Sequence, residues 1–162
     1  MAYNYFDIEY AIKEHDYIID RTGGLSGTKD RGHLEAVLDF VQSDMYYPTI
    51  EEKAAYLFYA LNKNHAFNDG NKRASVVLTA YFFELNQLDF IVGRFMRDIE
   101  NIAVDVADNA IDRDLLSEII SSFIYEDDFS IELKMKIIEA KTIHLEKKAL
   151  LENGNNQHQE EL

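Results

Sequence analysis

The sequence predicts an all-α domain built around two apolar central helices. Apolar residues recur at helical spacing, three or four residues apart, along almost the whole chain. With 162 residues, 47% of them hydrophobic and 28% charged, the chain is long enough to bury a substantial core. We therefore expect a globular domain of about seven helices.

Two helices separated by a glycine-rich loop are predicted at the N-terminus. The first helix ends before Gly23-Gly24, since glycine is common where helices stop. The loop RTGGLSGTKDRG (21–32) follows, and then a short second helix. The apolar stripe of the first helix consists of Ile8, Ala11, Ile12, His15, Ile18 and Ile19, and that of the second consists of Leu34, Val37, Leu38 and Val41.

The third helix is predicted to be one of the two central helices. It is preceded by a connecting segment in which Pro48 biases Tyr47 away from helical backbone, so we expect an extended stretch there. Thr49 has the position of an N-cap, and Glu52 three residues later completes a capping-box pattern. The helix that follows is apolar nearly all round, which indicates a central position.

The second half of the chain is also predicted to be helical. The second central helix begins near Gly70 or Asn71 and has its apolar run at 74–85, and further helices follow at about 94–108, 113–125 (capped by Asp112) and 130–151. Asn153-Gly154 predicts the end of the last helix, and the polar residues 152–162 are expected to be a disordered tail. We expect residues 1–127 to form the main domain, with the helix within 128–151 packed on it or continuing it.

Charge and composition exclude several classes of function. The formal charge is −14, so the chain repels phosphate backbones and general nucleic-acid binding is not expected. The chain has no cysteine, which excludes disulfides and thiol chemistry and suits a cytoplasmic protein. Because it has no apolar N-terminal signal segment and no apolar run of 18 residues, we expect neither export nor membrane insertion.

The stretch NHAFNDGNKR (64–73) joins the central helices and places positive charge at the start of the second one. Lys72 and Arg73 fall in its first turn, where free N–H groups and the helix dipole already favour negative charge. Gly70 permits a close turn before Asn71. The N–H donors, the dipole and two cationic side chains therefore converge on a predicted anion site.

Three further residues of this loop indicate transfer chemistry. Asp69 lies beside the predicted anion site, and carboxylates together with substrate phosphates are the usual ligands of Mg²⁺ in nucleotide sites. His65 has the side chain whose unperturbed pKa best suits accepting a proton near neutral pH. Phe67 between them is the expected apolar anchor of the loop. This combination predicts phosphoryl or nucleotidyl transfer.

Plainer interpretations of the same residues stay open. The histidine can be a capping or core residue, Asn-Asp-Gly-Asn is an ordinary turn composition, and an exposed Lys-Arg pair can be solvated surface. His65 and Asp69 could also be two ligands of a metal site, although the sequence offers no clustered third and fourth ligand.

The motif HAFNDGNKR (65–73) resembles the active-site motif of the Fic/Doc (Fido) family, H-x-F-x-D/E-G/A-N-G/K-R, and lies between two central helices as it does there. The segment HDYIIDRTGGLSGTKDRGHLEAVL (15–38) resembles the N-terminal part of death-on-curing (Doc) toxins. YPTIEEKAAYLFYALNKN (47–64) resembles the helix that leads into their catalytic loop. The likeness spans about residues 5–125 and leaves out the last helix.

The resemblance implies a role for each residue of the motif. His65 is then the general base for a hydroxyl of the target, Phe67 packs the loop into the core, and Asp69 holds Mg²⁺. The segment Val41–Pro48 is then a flap that aligns a target segment by backbone pairing. The residues implied to bind the phosphates of ATP are Gly70, Asn71, Lys72 and Arg73.

Lys72 favours the Doc branch of the family. Typical Fic adenylyltransferases have glycine there, which leaves space for the α- and β-phosphates, whereas Doc toxins carry lysine. The resemblance thus implies an ATP-dependent kinase that acts on a Ser or Thr hydroxyl, in Doc toxins on translation elongation factor Tu, and inhibits translation. His65, Lys72 and Arg73 form its implied catalytic set. The alternatives are adenylyl transfer and a non-catalytic Fido-fold binding domain, and the intact motif argues against the latter.

The resemblance implies two possible modes of regulation. Doc toxins are neutralised by a small antitoxin whose disordered segment folds onto the toxin, and this is the partner we expect. Many Fic enzymes instead inhibit themselves with a helix bearing S/T-x-x-x-E-G/N, whose glutamate occupies the phosphate-binding arginine. Ser122 and Glu126 match the first five positions, but Asp127 replaces the small last residue.

Overall fold

A computed structural model describes residues 2–160 of the chain, with side chains described up to residue 155. All regular structure in this range is helical, and none of its helices is both long and apolar enough to cross a bilayer. The helices are α1 (Ile8–Thr22), α2 (Arg31–Phe40), α3 (Ile50–Lys63), α4 (Asn71–Leu85), α5 (Asp89–Asp98), α6 (Glu100–Ala107), α7 (Arg113–Tyr125) and α8 (Ile131–Glu160).

Helices α3 and α4 form the centre of the fold. They make the most extensive contact of any helix pair in the described range, and both are buried along most of their length. Helices α1, α5 and α6 pack on α4, while α2, α6 and α7 pack on α3. The prediction of an all-α domain with two central helices is therefore confirmed. Their largely apolar sequences account for this central position, and among the residues of α4 only the polar Lys72 and Glu84 are exposed.

Several predicted helix ends are confirmed by their hydrogen bonds. Gly23 ends α1 with a φ of 85°, and its N–H donates to the carbonyl of Ile19. The hydroxyl and N–H of Thr49 form a complete capping box with Glu52 at the start of α3. The carboxylate of Asp112 accepts the N–H of Leu115 at 2.8 Å and caps α7.

The prediction of a single helix at 94–108 is wrong, because two helices occupy this region. Helix α5 begins at Asp89, and α5 and α6 meet at Ile99, which is fully buried. The described chain therefore has one helix more than expected. No proline or glycine marks this junction, and the apolar spacing continues through the buried Ile99, so the sequence gives no signal of the break.

The extended conformation predicted before Pro48 is wrong over residues 41–46. In the segment Val41–Pro48, called the flap below, residues 41–42 and 44–46 form turns, while Tyr47 and Pro48 lie outside helix and turn. The carbonyl of Ser43 accepts the N–H groups of both Tyr46 and Tyr47, at 3.3 and 2.9 Å. Because these N–H groups are used within the flap, they do not form the edge that pairing with a target strand needs.

Helix α8 is longer than predicted. It continues beyond Asn153-Gly154 to Glu160, so the tail expected to be disordered is helical over its described part. Residues 161 and 162 lie outside the described range. Glycine within a helix costs about 1 kcal/mol relative to alanine, and the flanking Asn153 and Asn155 are also poor helix formers, so α8 continues here against local propensity.

Candidate functional site

The loop between α3 and α4 is held from its inner side by Phe67. This side chain is 1% exposed, and its ring stacks on that of His15 with the centroids 3.8 Å apart and the planes 3° from parallel. The Asn71 side chain fixes the backbone of Phe67 through two hydrogen bonds. Its Oδ1 accepts the Phe67 N–H and its Nδ2 donates to the Phe67 carbonyl, both at 3.1 Å. The loop therefore rests on a fixed support.

His15 is a second support that helical spacing predicted only as part of an apolar stripe. Its side chain is fully buried, and its Nε2 donates to the backbone carbonyl of Asp69 at 2.6 Å. Its Nδ1 lies 3.3 Å from the carboxylate of Asp16, the next residue along α1. This imidazole therefore connects α1 to the site loop through a hydrogen bond as well as through the stacked ring of Phe67.

Two glycines with positive φ let backbone approach the site closely. Gly24 has a φ of 122°, and a Cβ atom there would lie 2.5 Å from Oδ2 of Asp69. The N–H of the next residue, Leu25, donates to this oxygen at 3.2 Å. Gly70 has a φ of 74°, and a Cβ atom there would lie 2.8 Å from Cδ1 of Ile19. Larger side chains at either position would push the loop away from α1.

Asp69 carries a negative charge at neutral pH. Its carboxylate accepts N–H groups from Leu25 at 3.2 Å and from Gly70 at 2.7 Å, and it lies 3.8 Å from the guanidinium of Arg73. These interactions, led by the N–H of Leu25 and then that of Gly70, hold the pKa of the carboxyl below its usual value. The side chain is 46% exposed, so the charge also faces solvent.

Arg73 and Lys72 differ in how firmly they are held. One guanidinium nitrogen of Arg73 donates to the carbonyl of Gly23 at 2.8 Å and to the hydroxyl of Thr22. The ammonium of Lys72 is exposed and makes no hydrogen bond or ion pair with any residue in the described range. One cation is thus fixed against the end of α1, and the other is able to move toward a ligand.

His65 opens the loop with its side chain exposed and a φ of 50°. It lines one recess together with Asp69, Lys72 and Arg73, and this recess has a volume of about 390 Å³. The other residues around it are Asn62, Asn68, Gly70, Asn71 and Ala107. The structure therefore brings together all the motif residues predicted to do chemistry.

The start of α4 forms the floor of this recess. Its N-cap, Gly70, has no side chain to accept from the first turn, so the N–H groups of Asn71, Lys72 and Arg73 are left for a ligand. The side-chain amide of Asn71 is engaged with Phe67, so of this residue only the backbone N–H remains for an anion. The arrangement can bind an anion beside a histidine able to take a proton.

The donor set fits Mg²⁺ only together with a phosphate ligand. Within the described residues, no group of three or more His, Cys, Asp or Glu side chains is placed to hold a metal ion. Asp69 supplies a single ionised carboxylate. One carboxylate plus substrate phosphates is a common way of binding Mg²⁺, whereas one carboxylate alone is not a metal site.

A second, apolar recess of about 460 Å³ adjoins the first and shares Lys72 and Arg73 with it. It lies between α1, α4 and the α5–α6 region. The apolar and aromatic side chains that line it are Tyr17, Ile18, Val76, Val77, Met96, Ala103 and Val104.

The structure does not bring Ser122 and Glu126 to the site. Ser122 is buried within α7, and Glu126 follows the last residue of that helix. The backbone carbonyl of Glu126 accepts from Arg94, while the described contacts of Arg73 are with Thr22, Gly23 and Asp69. The self-inhibitory contact that the sequence pattern allows as the less favoured alternative is therefore absent from the described contacts of Arg73.

Lys53 is a buried residue near the flap that the sequence reasoning missed. Its side chain has no exposed surface, yet its ammonium donates to the carbonyl of Val41 at 3.0 Å and pairs with Asp44 at 2.9 Å. Both partners belong to the flap, so Lys53 ties the flap to α3. A lysine inside a helix that is otherwise apolar all round was the available signal.

Comparison with known proteins agrees with this geometry. A sequence model of the Fic/DOC family matches residues 5–83, which include the motif, α3 and most of α4. "Toxin Doc" of Mycolicibacterium smegmatis is 30% identical over 105 residues, which cover 62% of this chain and 81% of that protein. "Protein kinase doc" of Escherichia phage P1 is 39% identical over 82 residues, covering 48% of this chain and 64% of the phage protein, just under two thirds of its length.

The matched residues 5–83 include all the residues that line the first recess except Ala107. The likeness to the mycobacterial protein extends over most of that relative's length at 30% identity. The all-helical architecture, the loop between the central helices and these matches agree with one another, and the chain belongs to the Fic/DOC family.

Proposed function

We propose that this protein is a Doc-like toxin that transfers the γ-phosphoryl group of ATP to a Ser or Thr hydroxyl of a protein. The observation that carries the proposal is the convergence of His65, Asp69, Lys72 and Arg73 on one recess at the uncapped start of α4. A relative named as a protein kinase and another named as a toxin support the choice of reaction.

The imidazole of His65 acts as the general base. It accepts the proton of the target hydroxyl while the hydroxyl oxygen forms a bond to the γ-phosphorus. The bond from that phosphorus to the β–γ bridging oxygen breaks, and ADP leaves. Because the His65 ring is exposed and makes no hydrogen bond with a described residue, a hydroxyl can approach it directly. General-base catalysis typically contributes on the order of 10²–10⁴ in rate.

The start of α4 stabilises the negative charge of the phosphates. The free N–H groups of its first turn and the guanidinium of Arg73 bind the phosphates that do not react. The mobile ammonium of Lys72 reaches the transferred group and balances charge on it. Lysine at this position occupies the space that glycine leaves in adenylyltransferases, so the γ-phosphate rather than the α-phosphate faces His65.

Asp69 would hold Mg²⁺ jointly with the phosphates. Its carboxylate is ionised because backbone N–H groups lower its pKa, and its outer surface remains open. When bound, the ion neutralises charge on the phosphates of ATP. The ion pair with Arg73 keeps Asp69 oriented toward the recess.

The partners follow from the resemblance to Doc toxins. The protein target is elongation factor Tu, whose modification inhibits translation, and a small antitoxin neutralises the toxin.

The apolar recess beside Lys72 and Arg73 is the surface on which we place the antitoxin segment, because a helix that buries apolar side chains there also covers Arg73. A variant such as Val104→Lys would weaken the binding of the antitoxin segment and leave phosphoryl transfer intact.

Labelled ATP tests the reaction directly. The purified protein is incubated with a bacterial extract and ATP labelled at either the α or the γ phosphate. We expect label from the γ position alone, on one protein of elongation-factor size. Label from the α position would mean adenylylation, and the absence of label from both positions would support a binding domain without this activity.

Lys72→Gly tests the direction in which ATP binds. We expect weaker γ transfer, because the charge on the transferred group loses its partner. Some α transfer in this variant would agree with the space that glycine restores. Undiminished γ transfer would show that Lys72 does not set the chemistry.

A further inference from the structure

Helix α8 carries an apolar stripe on the side that faces away from the body of the domain. The inner side of the helix packs on the domain through Leu133, which is buried, and Ile137, which is partly buried against the core. The outer stripe is exposed, with Ile131, Ile138 and Leu145 at 76%, 59% and 64%. An exposed stripe of this length on a helix requires an explanation beyond scattered surface apolar residues.

The stripe has the spacing of a two-helix coiled coil. From Ile131 to Ala149, its six residues lie alternately four and three positions apart, which is the a/d pattern of the heptad repeat. Thr142 is the one hydroxyl residue in it, and this hydroxyl donates to the carbonyl of Ile138 at 2.9 Å, so its methyl group is free to pack. The d positions are Ile131, Ile138 and Leu145, and the a positions are Met135, Thr142 and Ala149.

The charges beside the stripe favour pairing with an identical helix in the parallel orientation. Every e position from 132 to 146 is glutamate and every g position from 134 to 148 is lysine: Glu132, Glu139, Glu146, Lys134, Lys141 and Lys148. In a parallel pair of identical helices, each g residue faces the e residue of the next heptad on the other helix, so lysine meets glutamate. In an antiparallel pair, lysine would face lysine and glutamate would face glutamate.

We propose that a second copy of this chain covers the stripe, so that α8 forms a parallel, in-register coiled coil in a symmetric dimer. Lys134 of one copy then faces Glu139 of the other, and Lys141 faces Glu146. Lys134 and Lys141 also contact Asp128 and Asp105 of their own copy, at 2.8 and 3.1 Å. An ammonium has three donors and serves both partners.

The geometry of the fold permits this dimer. The two domains lie on opposite outer sides of the paired helices, because each domain packs on the face of α8 turned away from the stripe. Residues 131–151 span about 30 Å at 1.5 Å per residue, long enough for three heptads. None of the described side chains of α8, up to residue 155, lines either recess beside Lys72 and Arg73, so this part of the coiled coil leaves both open.

The oligomeric state of the full chain tests the proposal. Light scattering and sedimentation velocity over a range of concentrations should show a reversible dimer. Leu145→Glu should shift the protein to monomer, whereas Leu151→Glu, an equally exposed leucine on the other side of α8, should remain dimeric. Both substitutions are on the surface, so thermal unfolding should show folded protein. A monomer at all concentrations, or a dimer unaffected by Leu145→Glu, would overturn the proposal.

The absence of cysteine in the chain allows a direct test of direction. Met135→Cys and Ala149→Cys lie at opposite ends of the stripe. In a parallel, in-register dimer each variant forms a disulfide with its own kind under mild oxidation, because identical a positions face each other. If the dimer forms but neither variant gives a disulfide with its own kind, the helices are not parallel and in register, and the proposal is wrong.

Discussion

The inner and outer sides of the loop between α3 and α4 differ in almost every physical property. On the inner side, Phe67 is buried and stacked on His15, and the Asn71 amide bonds to the backbone of Phe67. On the outer side, His65 and Lys72 are exposed, and neither side chain has a partner among the described residues. The difference teaches that the support of the site and its reactive groups are separate sets of residues. Inner substitutions should change stability, and outer ones should change transfer alone.

The largest effect on stability is expected for Phe67→Ala. Replacing a fully buried phenylalanine by alanine typically costs about 3–5 kcal/mol, since it removes buried apolar surface and leaves a cavity. Here it also removes the stacking partner of His15. The free energy of unfolding, measured with a denaturant, should fall by this amount. Phe90→Ala is the matched control, because Phe90 is 72% exposed, and it should change stability little. Equal effects of the two substitutions would contradict the inner support.

Asn71→Ala should have the next largest effect. It leaves the N–H and carbonyl of Phe67 without their partners, and an unsatisfied part-buried polar group typically costs about 1–3 kcal/mol. Asn101→Ala is the control, since Asn101 is exposed on α6. If Asn71→Ala is as stable as the wild type while transfer is lost, the amide acts on phosphate and the assignment of Asn71 to the support is wrong.

Asp69→Asn should give an effect on stability that depends on pH. The pKa of this carboxyl is lowered in the folded protein by the N–H groups of Leu25 and Gly70. A lowered folded pKa stabilises the protein above the unfolded pKa of about 4, and this stabilisation is lost as the pH falls through the folded value. The wild type should therefore be the more stable protein at neutral pH, and the difference should vanish in acid.

The same variant tests the proposed role of Asp69 with Mg²⁺. Transfer should fall sharply, and half-maximal transfer should need more Mg²⁺, because the carboxylate no longer contributes to holding the ion. An unchanged dependence on Mg²⁺, together with a pH-dependent loss of stability, would make Asp69 a turn residue only.

The smallest effect on stability is expected for Lys72→Ala. A surface substitution away from caps and buried contacts usually changes stability by less than about 0.5 kcal/mol. Transfer should nevertheless fall, because the charge that faces the γ-phosphate is gone. Lys147→Ala, on the exposed surface of α8, is the control for loss of a lysine. If Lys72→Ala lost stability and transfer in parallel, Lys72 would belong to the residues that support the loop rather than to the reactive groups.

The apolar spacing and the caps predicted most of the fold. The capping box at Thr49 and Glu52 and the cap at Asp112 have local causes, so short patterns reveal them. The junction at Ile99 and the turned flap depend on packing and on a carbonyl shared within the flap, which no local pattern records. The length of α8 was missed because a single glycine does not end a helix unless the backbone turns left-handed there.

The candidate site was predicted where one segment of sequence builds it. The loop from His65 to Arg73 contains the outer groups, so its residue types and their order were enough to place them around one recess. The inner support comes from elsewhere in the chain: His15 lies on α1, and Leu25 follows the glycines after it. Contacts between segments so distant in sequence leave no periodic signal.

The rate of γ-phosphoryl transfer by His65→Ala is the most direct test of the separation between support and chemistry. It should be measured on elongation factor Tu beside the wild type and His33→Ala, a control that removes an exposed histidine outside the recess. We predict unchanged stability and ATP binding for His65→Ala, with transfer lower by a factor on the order of 10²–10⁴, and full transfer for His33→Ala. Undiminished transfer by His65→Ala would remove this residue from the mechanism and contradict the account.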